Sequence, residues 1–174
     1  MKKIFSLITA LFCAGCTTVD PLPEAVGDFD ISRYLGKWYE IARMPNWFEN
    51  GMNRVTAYYS MLPDGMIQVV NCGIANGKLR SIKGVAKFAG QEDSGDLLVS
   101  FFQPFYSSYR IIRLSPDYTT ACVMGSSRSS AWILARTPEI SKSELDTLLK
   151  FLKENHFDIN KLIYPIQSIS SVSP

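Results

Sequence analysis

The chain has 174 residues, 47% apolar and 20% charged, which suffices for one domain with a real core and carries no disordered or fibrous bias. Its 18 lysines and arginines face 16 acids, and two of the bases, Lys2 and Lys3, belong to the first fifteen residues. The remainder is balanced, so no basic excess is left to hold nucleic acid, and that class of partner is excluded.

Residues 1–15 carry a basic start and an apolar run over 4–12, too short to span a bilayer, and read as a secretory signal. The run ends in Phe12-Cys13-Ala14-Gly15-Cys16. Small residues directly before a cysteine resemble the bacterial lipobox, with Cys13 where leucine is usual, and the resemblance implies that Cys16 becomes an acylated first residue. A plain signal that leaves Cys16 as a free thiol is the alternative. Thr17 in place of aspartate favours the outer membrane over the inner one. Acylation by several chains anchors durably, at ~0.8 kcal/mol per buried methylene. Residues 16–28 then read as a lipidated N-terminus and a Pro- and Gly-bearing tether, and 29–174 as the folded domain.

Gly36-Lys37-Trp38 opens the folded part, a glycine turn beneath a ring followed by strand-like residues. Alternation predicts Trp38, Glu40 and Ala42 on one face and Tyr39, Ile41 and Arg43 on the other. Eight strand-like runs follow one another at 37–43, 53–61, 66–73, 79–89, 96–102, 109–114, 119–125 and 131–136. Turn signals separate them, among them Pro63-Asp64-Gly65, Asn76-Gly77 and Ser115-Pro116-Asp117. Eight strands on short connections predict an all-β, antiparallel up-and-down barrel, which closes without edges and has room for one small ligand.

The same alternation nominates an inner face. It comprises Val55, Ala57 and Tyr59; Val69 and Asn71; Phe88; Leu97, Val99 and Phe101; Tyr109 and Ile111; Cys122 and Met124; and Trp132. Gly73, Gly84 and Ala86 share it, and Arg113 has the parity of Ile111. The lining is apolar and aromatic with few polar atoms, the usual chemistry of a small-ligand pocket. From pattern alone, a barrel filled by its own side chains is equally open.

Connectivity puts loops 45–52, 75–78, 103–108 and 126–130 at one rim, opposite Trp38. Trp47, Phe48, Phe105 and Tyr106 sit there, as a lid, a second copy of the chain or a membrane surface would use them. Arg54, Lys78, Arg80 and Arg128 stand nearby and suit an anionic head group. After Pro138, Ser141 and Glu144 form a capping box, and Leu145, Leu148, Leu149 and Leu152 make one apolar helical stripe. Residues 161–164 can add a last strand.

Cys72 points outward and Cys122 inward by alternation, on strands far apart, so both are expected free. His156 is the only histidine and follows the helix; no metal motif, triad or phosphate loop appears, and no cofactor or metal is expected. Glu40 is the one carboxylate with inward parity.

Gly36-Lys37-Trp38, the turn Leu114-Ser115-Pro116-Asp117-Tyr118 and the strand end Trp132 to Arg136 before Thr137-Pro138 together resemble the three signature regions of the lipocalins. Residues 29–43, Phe48-Glu49-Asn50 and 132–138 look nearest to the bacterial outer-membrane branch of that family and its animal relatives. The resemblance implies an eight-stranded barrel with one C-terminal helix packed outside, closed at one end by Gly36, Trp38 and Arg136, with the guanidinium covering the indole. Where the animal relatives place a cysteine near the second strand, this chain has Arg54, so their disulfides are not expected.

The expected function is a lipocalin held at the periplasmic face of the outer membrane through Cys16. It would bind, store or carry a fatty acid or lysophospholipid for membrane maintenance. Catalysis is not expected. The rival readings are an enzyme acting on a bound lipid through Cys122 or Glu40, and a structural lipoprotein with a filled barrel.

Overall fold

The computed structural model describes residues 20–167. The signal and Cys16 lie outside the described residues. Eight antiparallel strands close into one barrel in sequence order: β1 (Gly36–Arg43), β2 (Asn53–Met61), β3 (Ile67–Ala75), β4 (Lys78–Phe88), β5 (Asp96–Phe102), β6 (Phe105–Leu114), β7 (Thr120–Met124) and β8 (Ala131–Ala135), with β8 pairing back onto β1. The expected fold class holds. A four-residue helix α1 (Ile31–Tyr34) precedes β1, and α2 (Lys142–Glu154) follows β8.

Local chemistry fixes the turns. Asn76 and Gly77 both take positive φ, +51° and +70°, the twist that a two-residue hairpin needs between β3 and β4. In the β6–β7 turn the Ser115 hydroxyl accepts from the backbone N–H groups of Thr119 and Thr120. The β5–β6 connection is shorter than expected. The strands pair out to Phe102 and Phe105, so Gln103-Pro104 alone forms the turn and 105–108 belong to β6.

Two hydrophobic clusters follow from the barrel geometry. Trp38, Tyr59, Ile67, Val69, Ala86, Leu97, Ile111, Val123 and Leu134 fill the lower lumen. Ala42, Ile112, Cys122, Met124 and Ile133 form an outer wall against Leu148 and Leu152 of α2. The helix is started by the expected capping box, in which Ser141 and Glu144 bond reciprocally, and its leucine stripe packs on that wall.

Bulges revise the alternation in two places. Between Glu40 and Ala42 the register of β1 against β8 shifts, so Ala42 turns outward and Arg43, expected outside, turns inward opposite Trp132. Between Ile111 and Arg113 the register of β6 against β7 shifts as well, so adjacent Ile111 and Ile112 are both buried, one in each cluster. Beyond that bulge Arg113 pairs with Cys122 and lies over the Phe151 ring, on the outer wall. Val123, not Cys122 or Met124, faces the lumen opposite Trp132. The inward assignment of Cys122 and Met124 is therefore corrected: both sit under α2. The extra residues reverse the side chains that follow them on β1 and β6. β7 runs unbulged against β8 and is buried on both faces, so its apolar run gave alternation no direction.

The segments before and after the barrel are fastened to it. Val26 exchanges backbone hydrogen bonds with Ile111 and Gly95, and Arg128 donates to the carbonyls of Asp20, Pro21 and Asn155. The stretch expected to be a tether is thus docked from Asp20 onward, and it arrives at the rim that carries the 126–130 loop. At the other end Ile163 bridges Arg43, and the Gln167 amide donates to the carbonyls of Glu40 and Val55, where β1 and β2 have diverged.

Candidate functional site

The closed end of the lumen is sealed by long-range polar contacts. Arg136 stands 4.0 Å over the Trp38 ring and donates to the carbonyls of Arg33, Lys37 and Tyr118. Burial lowers its affinity for the proton, and nearby Tyr34 and Tyr59 act in the opposite sense. Gly36 has φ +90°, a conformation side chains resist, and brings its backbone beneath the guanidinium. The Trp38 N–H donates to the carbonyl of Tyr34. Tyr34, delivered by α1 and not nominated from the strand pattern, is fully buried above this floor. Its hydroxyl meets that of Tyr109 at 2.8 Å, and Tyr109 meets Tyr59 at 2.7 Å. Burial pushes all three phenols up, so they act as neutral hydrogen-bonding groups.

Above the floor, side chains with inward parity grade from buried to accessible. Val55, Tyr59, Val69, Leu97 and Ile111 are buried, whereas Ala57, Asn71, Phe88, Val99, Phe101, Tyr109 and Trp132 are half-buried. The Asn71 Oδ1 has no hydrogen-bond partner among the described residues although it is buried. Two of the small residues are already covered. The Phe101 ring lies against Gly84, and the Met52 methyl lies over Gly73, so close that a Cβ at either position would collide. Clefts of about 400 and 430 Å³ open elsewhere, one beneath Phe29 and Phe88 and one on the outer wall beside Tyr39, Thr56 and Cys72.

The mouth holds a polar cluster that strand alternation missed. Arg43, 1% exposed, donates from Nη1 to Glu40 at 2.5 Å and from Nη2 to the Glu49 carbonyl at 2.6 Å. Glu49 comes from the loop between β1 and β2, yet its carboxylate is buried. The Trp132 N–H donates to it at 3.1 Å, and so does the Asn46 amide. Glu40 is raised to about 8, first by burial and then by the charge of Glu49, which together outweigh Arg43. In the sequence only Asn46 and Glu49, set on either side of Trp47 and Phe48, hinted at this.

Outside that cluster the rim is aromatic and exposed: Trp47 86%, Phe105 79% and Phe102 69%. Trp47 and Phe48 pack edge to face. Cys72 and Cys122 are free thiols, and burial pushes Cys122 up to about 12. Among the described residues no group of histidines, cysteines and acids is placed to hold a metal ion.

Comparison with known proteins gives a consistent family. A lipocalin-like domain model matches residues 29–167. The outer membrane lipoprotein Blc of Escherichia coli K12 is 43% identical over 169 residues, covering 94% of this chain and 95% of that protein. Its counterpart in Vibrio cholerae is 39% identical over 94% of this chain and 98% of its own length. Mouse apolipoprotein D is 32% identical over 82% and 79%. Among solved structures, insecticyanin from the tobacco hornworm superposes with a TM-score of 0.69 over 88% of this chain and 87% of its own at 22% identity, a likeness of fold.

Proposed function

The chain belongs to the lipocalin family, and from that premise we propose that it binds a small apolar, lipid-derived ligand in its barrel and carries or stores it for membrane maintenance. The ligand class is a fatty acid or a lysophospholipid. The observation that carries this reading is the accessible upper lumen: apolar and aromatic side chains facing inward within a closed barrel, yet only half-buried. Tyr109, Asn71 and Trp132 supply the few polar atoms that would orient the ligand, and a bound hydroxyl or amide would satisfy the Asn71 oxygen. Twelve methylenes buried there would gain on the order of 9 kcal/mol before ordering costs.

The proposed location is the periplasmic face of the outer membrane, through an acylated Cys16; relatives named outer membrane lipoproteins support the membrane, and the lipobox-like run before Cys16 supports the anchor. Asp20 is pinned at the mouth by Arg128, with its carboxylate 2.9 Å from His156. Three residues, and so four Cα steps, separate it from Cys16, a reach of about 14 Å when extended. An anchored chain would therefore present its mouth, with Trp47, Phe102 and Phe105, to the bilayer. A second copy of the chain meeting the same aromatics is the competing occupant.

The function is binding without catalysis. Cys122, the thiol an enzymatic reading needs, lies under α2 with its proton firmly held. A filled barrel is the second reading, and Met52 over Gly73 and Phe101 over Gly84 favour it. Native mass spectrometry of protein purified without detergent, followed by lipid extraction, separates the two. A stoichiometric acyl lipid that is lost in Trp132→Ala supports the carrier. No ligand, and no uptake of an apolar fluorescent probe, supports the filled barrel.

A further inference from the structure

The cluster at the mouth combines fixed donors with a movable acceptor. Arg43 on β1 and Trp132 on β8 are direct partners across the barrel seam, so their N–H groups are held by paired backbone. Both face one atom, Glu49 Oε2, which belongs to a loop. The fit is incomplete. Trp132 Nε1 reaches that oxygen at 3.1 Å, but Arg43 Nε remains 3.9 Å away and has no hydrogen-bond partner, although the side chain is buried. A buried guanidinium N–H without an acceptor is costly, and a freely positioned oxyanion can satisfy it where a carboxylate tied to Asn46 does not.

We infer that Arg43 and Trp132 form a head-group site for an anionic amphiphile, and that Glu49 occupies it as an internal substitute until the ligand's carboxylate or phosphate takes its place. This deepens the carrier reading and rests on it.

Charge bookkeeping points to an anion. Arg43 faces two acids, Glu40 and Glu49, and burial holds Glu40 largely protonated near neutral pH, which leaves the Glu49 carboxylate as the counter-charge. Whatever displaces Glu49 must restore that negative charge. A neutral chain restores none of it and would leave Arg43 to rest on Glu40 alone, whose charged form burial disfavours. Exchange also moves the lid. Arg43 Nη2 holds the loop through the carbonyls of Glu49 and Met52, and Met52 is the residue whose methyl covers Gly73. Glu49 and Met52 share that loop, so head-group entry acts on the same segment that plugs the lumen. The chain of the ligand then lies below, among Ala57, Val99 and Tyr109.

The test uses the full-length chain in phosphatidylcholine nanodiscs, with equilibrium dialysis of radiolabelled dodecanoate and dodecanol corrected against nanodiscs without the chain. Wild type is expected to prefer dodecanoate. Glu49→Gln removes the internal competitor and is expected to tighten dodecanoate about tenfold more than it tightens dodecanol. Equal tightening of both, or no change in either, would overturn the head-group site while dodecanol binding kept the carrier reading intact. If neither chain binds in either protein, both readings fall. Acetate competing with dodecanoate at comparable concentration would make the site one for small anions and overturn the assignment to an amphiphile.

Discussion

The Arg136 guanidinium and the Trp38 indole lie 4.0 Å apart at the closed end of the barrel, and three carbonyls from separate segments hold the guanidinium there. A lysine keeps the charge but neither the planar fork nor the third bond. Arg136→Lys is expected to lower stability by roughly 1–3 kcal/mol, read as a fall in urea midpoint without a change in slope. An unchanged midpoint would mean that the indole alone seals the floor.

Tyr109 links the hydroxyls of Tyr34 and Tyr59. Tyr109→Phe leaves both without that partner and is expected to cost about 1–3 kcal/mol. The same burial predicts an optical signature. Of the eight tyrosines, these three should not ionise on raising the pH until the protein unfolds, so ultraviolet titration of the native state should stop short of full phenolate absorbance.

Glu40 binds its proton more tightly in the folded chain, to about 8, than in the unfolded one, where the ordinary value is 4.5. Between those values the native state holds the extra proton, so stability is full below about pH 4.5 and declines as pH rises towards 8. The loss contributed by this group is on the order of a few kcal/mol. Urea unfolding at pH 5 and pH 9 should show it, and Glu40→Gln should flatten the dependence. A wild-type slope that survives in Glu40→Gln would assign it elsewhere.

Cys122 is buried beneath α2, whereas Cys72 is half-buried with its thiol 3.5 Å from the Ser81 hydroxyl. An aromatic disulfide reagent should modify Cys72 in the native protein and reach Cys122 only in urea, with peptide mapping locating the adduct. Leu152→Ala on the helix face should cost ~2–5 kcal/mol and expose Cys122 at lower urea. Native-state labelling of Cys122 at the rate of Cys72 would place it elsewhere than under the helix.

The strand pattern was legible because each run alternates or ends at a turn residue, and the barrel followed from eight such runs on short connections. The seams were not. Ala42 is small enough to suit either face, and Ile111 and Ile112 are apolar on both, so hydrophobicity gives no sign of the extra residue that the bulges insert. Beyond the first bulge Arg43 came in, and beyond the second Arg113 went out. Cys122 and Met124 face out on different grounds: β7 carries no bulge but is buried on both faces, so its alternation has no direction to read. Glu49 was hidden for another reason. Its burial depends on a strand-borne Arg43 and on Trp132, 83 positions away, and no local window contains all three. Trp38 and Arg136, by contrast, were found together because the family motifs name both.

The Arg136 latch also sets an order of events. Its partners Lys37 and Arg33 lie 99 and 103 positions earlier, and the β1–β8 seam spans a similar separation. Closing so long a loop is the entropically costly step in a chain otherwise built of neighbouring hairpins. The hairpins from β2 to β7 can form as they become available, but the floor cannot exist before β8 arrives. Until then Trp38 has no cover and the sheet has two open edges. A chain exported through a membrane in extended form would pass through that stage with its first strand waiting for its last, so the vulnerable interval for aggregation is set by the arrival of residues 131–136.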